Sequence, residues 1–265
     1  MKTRIITGCL IGIFVIFLIF SNIAVFDIGY IVASGIVMFE LMNAGKSTIP
    51  AYIVNILATL LYSVTCIYLP EFTGYVLPMY VIAVFTVHIL AYGKFSADKL
   101  FYSVFTFVYV NILMSYLVRI KHFPEYSSFM LLMFVATVVF SDTFAYFVGV
   151  TVGKNKLCPR ISPKKTMEGS LGAFAGAIIA SIVCAYIYNK MNISVNYLMA
   201  VIYGICCGGF SQIGDLVASS VKRHFEIKDF GDVLPGHGGI MDRLDSILFV
   251  APVFYFFLSN FLLNG

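Results

Sequence analysis

Two aspartates near the C-terminus, Asp242 and Asp245, have the spacing of side chains that share one face of a helix. They closely follow residues 235–239, Pro-Gly-His-Gly-Gly, whose glycines free the backbone to approach a ligand. Exposed backbone amides can hold phosphate, and Mg²⁺ is bound by one or two carboxylates together with phosphate oxygens. The pattern therefore indicates a magnesium-dependent site for a phosphorylated substrate, although two carboxylates in a first helical turn would also complement the helix dipole.

A second polar segment, residues 162–169, precedes another apolar stretch. Ser162 has the residue type of a helix N-cap, and Pro163 suits the first helical position. Lys164 and Lys165 would then lie at a helix N-terminus, which attracts anions. The segment therefore predicts a second phosphate contact, whereas the lysines alone could also reflect membrane topology and attraction to anionic lipid head groups.

Lone ionisable residues inside apolar stretches are further candidates, because a charge inside a bilayer is costly. Asp142 lies within one apolar stretch, and Asp215 lies close to the end of another. Glu40 and His88 lie near the ends of two more, where pairing inside a helix bundle explains them as well as a function does. Asp142 and Asp215 are therefore candidate site residues, and the roles of Glu40 and His88 stay open.

The elements that must position these residues are transmembrane helices. Of the 265 residues 60% are hydrophobic and 11% are charged, whereas soluble domains carry about 25% charged residues. Apolar stretches long enough to cross a bilayer, about 20 residues, recur along the chain. The sequence therefore predicts an all-α polytopic integral membrane protein of about nine transmembrane helices, the first two of which divide at a tight turn near Asp27. The predicted spans are 5–20, 23–42, 49–69, 75–92, 100–118, 129–150, 170–188, 195–217 and 244–263.

The positions of Lys and Arg predict the orientation of these helices. With the N-terminus in the cytoplasm, 14 of the 17 basic residues lie on the cytoplasmic side, Lys2, Arg4 and Lys94 among them. Two predicted cytoplasmic segments, 151–169 and 219–243, hold nine of these 14. The asymmetry supports the number of spans as well as the cytoplasmic N-terminus.

The two halves of the chain differ in their predicted roles. Residues 1–128 form N-terminal transmembrane helices without a comparable polar segment, and residues 129–265 form C-terminal transmembrane helices whose cytoplasmic loops build the catalytic site. Two Gly-x-x-x-Gly patterns, at 172–176 and 204–208, lie in the C-terminal half. Because small residues at this spacing let helices approach closely in lipid, they predict helix packing.

Several segments of the C-terminal half match a known family in residue type and in spacing. The match extends from about residue 140 to residue 246, and a long pattern of mixed residues at fixed spacing is specific. The matching residues are Ser141-Asp142-Thr143, Ala145-Tyr146-Phe147, Gly153-Lys154, Ser162-Pro163-Lys164-Lys165-Thr166, Glu168-Gly169, Gly214-Asp215-Leu216, Ser220-Val221-Lys222-Arg223, Lys228-Asp229, Leu234-Pro235-Gly236-His237-Gly238-Gly239 and Asp242-Arg243-Leu244-Asp245. In these segments the chain resembles the phosphatidate cytidylyltransferases, or CDP-diacylglycerol synthases, while Phe144, Val150, Met167 and Ala218 depart from the usual residues.

The resemblance implies a reaction of phospholipid biosynthesis, in which CTP and phosphatidate give CDP-diacylglycerol and pyrophosphate. It implies Mg²⁺ as the cofactor, held by Asp215 and Asp242, and leaves a second metal ion open. The implied catalytic residues are Asp215, Asp242, Lys222, Arg223, Lys228, Asp245 and Asp142. The implied substrate-binding residues are Ser162, Lys164, Lys165, Thr166, Glu168, His237, Gly238, Gly239 and Arg243.

The resemblance also implies where the protein works and with what. It implies a bacterial cytoplasmic membrane, an active site that faces the cytoplasm, membrane lipid as a partner and no nucleic acid. It further implies a homodimer, which no residue of this sequence requires.

Other functions stay open on the sequence alone. The loops fit a CTP-dependent lipid kinase, or an archaeal-type synthase with an ether-linked substrate, nearly as well. Carboxylates inside a membrane are also typical of transporters and lipid carriers. Transporters often have paired halves with matching broken helices, however, and the sequence shows no such symmetry.

Overall fold

The computed structural model of the protein describes residues 2–91 and 96–263, except for the side chains of residues 2–5. The predicted end of the fourth span at Tyr92 and the predicted cytoplasmic charge of Lys94 therefore lie outside the described residues. The side chains of Lys2 and Arg4 lie outside them as well.

The described residues are mostly helical. The α-helices are α1 (Lys2–Phe20), α2 (Ile23–Ala44), α3 (Ile49–Tyr68), α4 (Thr73–Leu90), α5 (Ala97–Phe107), α6 (Leu113–Lys121), α7 (Ser127–Thr151), α8 (Met167–Lys190), α9 (Tyr197–His224) and α10 (Met241–Phe257). A 3₁₀ turn, Pro70–Phe72, precedes α4, and π-helical segments join α5 to α6 (Val108–Ile112) and continue α10 (Leu258–Leu262). Within the described ranges, eight helical stretches are long and apolar enough to cross a membrane, and Ile6–Phe20 is a shorter apolar helix. The prediction of a polytopic all-α protein with about nine spans is therefore confirmed.

The helices group into two compact units. Unit 1 comprises Met1–Val118 and Phe225–Asp242, and unit 2 comprises Arg119–His224 and Arg243–Gly265. The functional division predicted between residues 128 and 129 stays a prediction.

The turn between the first two helices was predicted at the wrong residue. The break lies at Ser21 and Asn22, and Asn22 caps α2 because its Oδ1 accepts a hydrogen bond from the Val25 amide at 2.9 Å. Asp27 lies inside α2 and is buried. An amide side chain that satisfies a free helix N–H stabilises a helix start, and a buried carboxylate one turn later does not end it.

The end of α9 also differs from the prediction. The apolar stretch ends near residue 217, but the helix continues to His224. Its last turn carries Lys222, Arg223 and His224, and positive charges there complement the helix dipole. The two predicted site residues Lys222 and Arg223 are therefore helical and do not lie in a loop.

A short β-hairpin, which the sequence did not predict, lies between α7 and α8. Strand β1 (Lys156–Cys158) pairs antiparallel with β2 (Ser162–Thr166), with Cys158 opposite Ser162 and Lys156 opposite Thr166. The prediction that Ser162 caps a helix is wrong, because Ser162–Thr166 pairs with β1 as a strand and α8 begins only at Met167, so Lys164 and Lys165 lie on β2. Thr166 is the N-cap of α8 instead, and its Oγ1 accepts a hydrogen bond from the Gly169 amide at 3.1 Å.

Buried polar side chains connect the helices of unit 1. The hydroxyl oxygens of Ser34 and Ser63 lie 3.0 Å apart, and the Tyr80 hydroxyl donates to Asn55 Oδ1 at 3.1 Å. In the π-helical segment, Asn111 Nδ2 donates to the Thr59 hydroxyl at 3.1 Å. Because lipid removes the hydrophobic drive between helices, such hydrogen bonds help to specify helix contacts.

Glycine contacts determine the packing of unit 2. A Cβ atom at Gly172 would lie 2.8 Å from Val148 of α7, and one at Gly204 would lie 2.8 Å from the Ile178 Cα of α8. A Cβ atom at Gly208 would lie 2.8 Å from the Phe174 Cα, also of α8. The predicted packing role of the Gly-x-x-x-Gly patterns is thus confirmed.

Substitution of Gly208 by alanine should destabilise the fold, by about 1–3 kcal/mol, because the methyl group would overpack against the backbone of α8. Gly209→Ala is the matched control on the same helix, since its methyl group would lie 3.7 Å from Phe174, an ordinary contact. Thermal unfolding of both variants in detergent tests this. Equal loss of stability in the two variants would refute the packing role.

Candidate active site

Unit 2 contains a cavity of about 480 Å³, a volume in the range of small-molecule pockets. Its walls come from α7, the β-hairpin, the start of α8 and the middle of α9. The lining residues are Asp142, Ala145, Tyr146, Gly149, Val150, Gly153, Lys156, Leu157, Lys164, Lys165, Thr166, Gly169, Ser170, Gln212 and Asp215. Three lysines, two aspartates and an apolar wall suit a ligand that is anionic in one part and apolar in another.

The charges of the cavity meet at an ion pair between the hairpin and α9. Lys165 Nζ lies 2.6 Å from Asp215 Oδ2, and the two side chains are 24% and 33% exposed. Because both partners remain accessible, an incoming anion can reach the lysine and a cation can reach the carboxylate. The structure thus brings together two of the predicted site residues.

Two more predicted aspartates lie near Asp215. Asp142 of α7 accepts a hydrogen bond from the Ser211 hydroxyl at 3.2 Å and is close enough to Asp215 for the two charges to interact. Asp245 of α10 is buried. Its carboxyl group interacts with the carboxyl group of Asp215 and with the ammonium group of Lys222. Three helices of unit 2 therefore each supply a carboxyl group to one region.

Gly214 allows α9 and α10 to approach each other at this point. A Cβ atom there would clash with the Asp245 carbonyl oxygen and would lie 3.1 Å from the Phe249 Cβ. Any larger residue at position 214 would move Asp215, its chain neighbour, away from Asp245. The close approach of the two carboxyl groups thus depends on a glycine.

Two residues predicted to bind substrate organise the hairpin. Glu168 accepts hydrogen bonds from the backbone amides of Lys154 and Asn155, at 3.1 and 3.2 Å, and from Asn155 Nδ2 at 2.9 Å. The Thr166 hydroxyl oxygen caps α8. It also lies close to Gly153, where a Cβ atom would be only 2.6 Å from it. These contacts hold the hairpin against the end of α7, so that its lysines line the cavity.

The basic residues at the end of α9 lie near the same region. Arg223 Nε donates to the Ile161 carbonyl oxygen of the hairpin at 3.3 Å. Arg243, by contrast, is exposed in the first turn of α10, and Ser162 does not line the cavity. Substrate contacts of Arg223, Arg243 and Ser162 stay predictions.

The remaining predicted residues lie in unit 1, in the segment that leads into α10. Residues 234–237 form a tight turn in which the His237 amide donates to the Leu234 carbonyl at 2.8 Å. Pro235 precedes Gly236, whose φ of 76° suits glycine. His237 lies against Gly8 of α1, and Lys228 is exposed.

Asp242 has a structural contact that the sequence did not predict. Its Oδ2 accepts hydrogen bonds from the amides of Phe230 and Gly239, at 2.8 and 3.0 Å, and the side chain is buried. The carboxylate therefore fixes the segment before α10. Metal binding by Asp242 stays a prediction.

Sequence reasoning missed several residues of the cavity. Gln212 lies one turn before Asp215 on α9, and Lys156 lies on β1 across the hairpin from Thr166. Gln212 could have been predicted, because residues three positions apart on a helix lie on the same face. Lys156 could not have been predicted to line the cavity, because its position depends on the strand pairing.

The carboxyl groups of unit 2 include a neighbouring pair, Asp215 and Asp245, that suits Mg²⁺. Within residues 2–91 and 96–263, no group of three or more His, Cys, Asp or Glu side chains is arranged to hold a metal ion. The neighbouring carboxyl groups of Asp215 and Asp245 nevertheless fit Mg²⁺, because this ion is usually held by one or two carboxylates and completes its shell with water and substrate phosphates.

Known proteins are similar to this chain, and one of them is similar over nearly its whole length. The sequence profile of the Cytidylyltransferase family matches residues 2–261. The chain is 34% identical to the phosphatidate cytidylyltransferase of Bacillus subtilis over 98% of either protein. It is 36% identical to that of Aquifex aeolicus over 66% of the chain and 63% of the relative, and 47% identical to that of Staphylococcus haemolyticus over 43% and 42%. The chain therefore belongs to the cytidylyltransferase family.

Proposed function

We propose that this membrane protein transfers the cytidylyl group of CTP to phosphatidate, giving CDP-diacylglycerol and pyrophosphate in phospholipid biosynthesis. The protein is then a nucleotidyltransferase. The observation that carries the proposal is similarity over 98% of both chains to a phosphatidate cytidylyltransferase. The cavity of unit 2, where Lys165 meets Asp215, supports it with the charges that the reaction needs.

The chemistry requires charge neutralisation more than proton transfer. A phosphate oxygen of phosphatidate forms a bond to the α-phosphorus of CTP, and the bond from that phosphorus to the bridging oxygen breaks, so that pyrophosphate leaves with the electron pair. The attacking oxygen is already anionic at neutral pH, and no strong general base is needed. Because an anion must approach a polyanion, catalysis consists mainly of positioning and electrostatic stabilisation.

The lysines of the cavity are suited to this task. Three lysines line one cavity, namely Lys156, Lys164 and Lys165. Asp215 orients Lys165, because its Oδ2 lies 2.6 Å from the Lys165 Nζ. A bound phosphate would offer this lysine a second anionic partner. The apolar part of the wall, which includes Val150 and Leu157, suits the lipid portion of phosphatidate.

Magnesium is part of the proposal. Asp215, with Asp245 beside it, would hold the ion in unit 2. Metal binding by Asp242, which the family resemblance implies, stays a separate prediction. When bound, Mg²⁺ would neutralise charge on the phosphate oxygens. Asp142 would contribute to the negative potential that attracts the ion.

The distribution of charge supports a cytoplasmic location for the reaction. Because 14 of the 17 basic residues lie on one predicted side, we place the N-terminus and the cavity on the cytoplasmic side of a bacterial cytoplasmic membrane. CTP would enter from water and phosphatidate from the bilayer. A homodimer, which the family resemblance implies, belongs to the same proposal.

Labelled CTP tests the reaction directly. With purified protein, phosphatidate and Mg²⁺, label in the α-phosphate should move into the lipid, and label in the γ-phosphate should appear in pyrophosphate in equal amount. Transfer of the γ-label into the lipid, with release of CDP, would identify a lipid kinase and overturn the proposal.

Removal of two cavity lysines should weaken CTP binding. We expect Lys164→Ala combined with Lys165→Ala to raise the KM for CTP by about tenfold or more, the factor that corresponds to loss of a charge-assisted hydrogen bond. Lys190→Ala is the control. Lys190 lies in the last turn of α8, whereas the cavity is lined by the first turn of that helix, and its Nζ is 5.7 Å from the Tyr186 ring centroid. An unchanged KM in the double variant would return these lysines to a topological role.

Asp242 can be tested for its charge separately from its loop contacts. Asp242→Asn keeps a carbonyl oxygen that can accept the bonds from Phe230 and Gly239, but it removes the negative charge. We expect it to abolish turnover while the protein stays folded, and Asp242→Ala to loosen the loop in addition. Near-normal turnover of the asparagine variant would refute a metal-binding role.

A further inference from the structure

Glu40 of α2 is a buried carboxylate whose role the sequence left open. It is 2% exposed. Its Oε1 accepts a hydrogen bond from the Ile240 amide at 3.0 Å, and its Oε2 accepts one from the Met241 amide at 2.9 Å. All three residues belong to unit 1. Both carboxylate oxygens thus accept hydrogen bonds from the backbone of a segment about 200 residues away in the sequence.

These two amides lie at the start of α10, which begins at Met241. The first N–H groups of a helix have no partner within the helix, and the positive end of its dipole favours a negative charge. A carboxylate is therefore the side chain best suited to this position. A leucine would fill the space but would leave both amides unsatisfied.

The segment is shaped around the Glu40 side chain. A Cβ atom at Gly231 would lie 2.6 Å from Glu40 Oε1, and one at Gly239 would lie 2.5 Å from Glu40 Oε2. Only a residue without a side chain allows the backbone this close at both positions. The carboxylate of Glu40 is therefore enclosed by the segment and does not merely touch it.

A second carboxylate holds the same segment. Asp242 Oδ2 accepts from the amides of Phe230 and Gly239. Together, Glu40 and Asp242 bind four backbone amides at the two ends of residues 230–241. The turn with His237 and Gly238 lies between these anchored ends.

We propose that Glu40 is a positioning residue: it holds residues 230–241, with Asp242, in the conformation that cytidylyl transfer requires. Its importance for catalysis rests on the proposed function, in which this segment meets substrate phosphates. Catalysis by positioning is sensitive to small displacements, because misplacement of about 1 Å can cost a hundredfold in rate. An acid in the second helix would then control the rate without touching the substrate.

The experiment combines hydrogen exchange with kinetics. Glu40→Gln has nearly the same shape, but its NH₂ group faces an amide donor, so one bond is lost. We expect the amide that then faces the NH₂ group, that of Ile240 or that of Met241, to exchange about ten- to a hundredfold faster, which corresponds to loss of a hydrogen bond to a charged acceptor. We expect kcat to fall by about tenfold or more with little change in the KM for CTP.

Ser34→Ala is the matched control, because it removes another buried polar contact of α2, the one with Ser63. It should leave the exchange of Ile240 and Met241 and the kcat unchanged. If Glu40→Gln keeps these amides protected, or if its kcat falls no further than that of Ser34→Ala, the proposal is wrong.

Gly231→Ala provides a second variant if Glu40→Gln does not fold. It keeps the carboxylate but places a methyl group against Glu40 Oε1, so it should show the same pattern of exchange and rate in weaker form. Unchanged exchange and rate would contradict the proposal. If the wild-type protein releases no pyrophosphate, the proposed function fails, whereas the exchange data still decide whether Glu40 anchors the segment.

Discussion

A carboxylate on a membrane-spanning helix must have hydrogen-bond donors or a counter-charge, and this requirement organises both units of the protein. Asp215 is paired with Lys165, and Asp142 accepts a hydrogen bond from Ser211. In unit 1, Glu40 and Asp242 are satisfied by backbone amides. Each acid therefore fixes another part of the chain: Asp215 meets the hairpin, and Glu40 meets the start of α10.

Close helix contacts make the arrangement in unit 2 possible. Gly172, Gly204 and Gly208 bring α7, α8 and α9 together, and Gly214 brings α9 against α10. With less approach, the carboxyl groups of Asp142, Asp215 and Asp245 would be too far apart to interact. The resulting concentration of negative charge is costly unless cations offset it. Lys165 supplies one positive charge, and the proposed Mg²⁺ would supply more.

The sequence predicted the parts of this structure that depend on local pattern. The apolar stretches predicted the helices, and the spacing of Asp242 and Asp245 predicted that α10 begins near them. Each of these patterns lies within a single helix. The hairpin could not be predicted in this way, since Ser162-Pro163 suits a helix start as well as a strand. The contacts of Glu40 could not be predicted either, because its partners are backbone N–H groups, which every residue except proline carries. Gln212 could have been found from its helical spacing to Asp215.

In the proposed mechanism, the carboxyl groups of unit 2 bind a divalent cation that neutralises phosphate charge. This binding can be measured by titration of the purified protein with Mn²⁺, followed by electron paramagnetic resonance in the presence of CTP. We expect bound Mn²⁺ that Mg²⁺ displaces, and loss of this binding in Asp215→Asn. Equal Mn²⁺ binding by the wild-type protein and Asp215→Asn would contradict it.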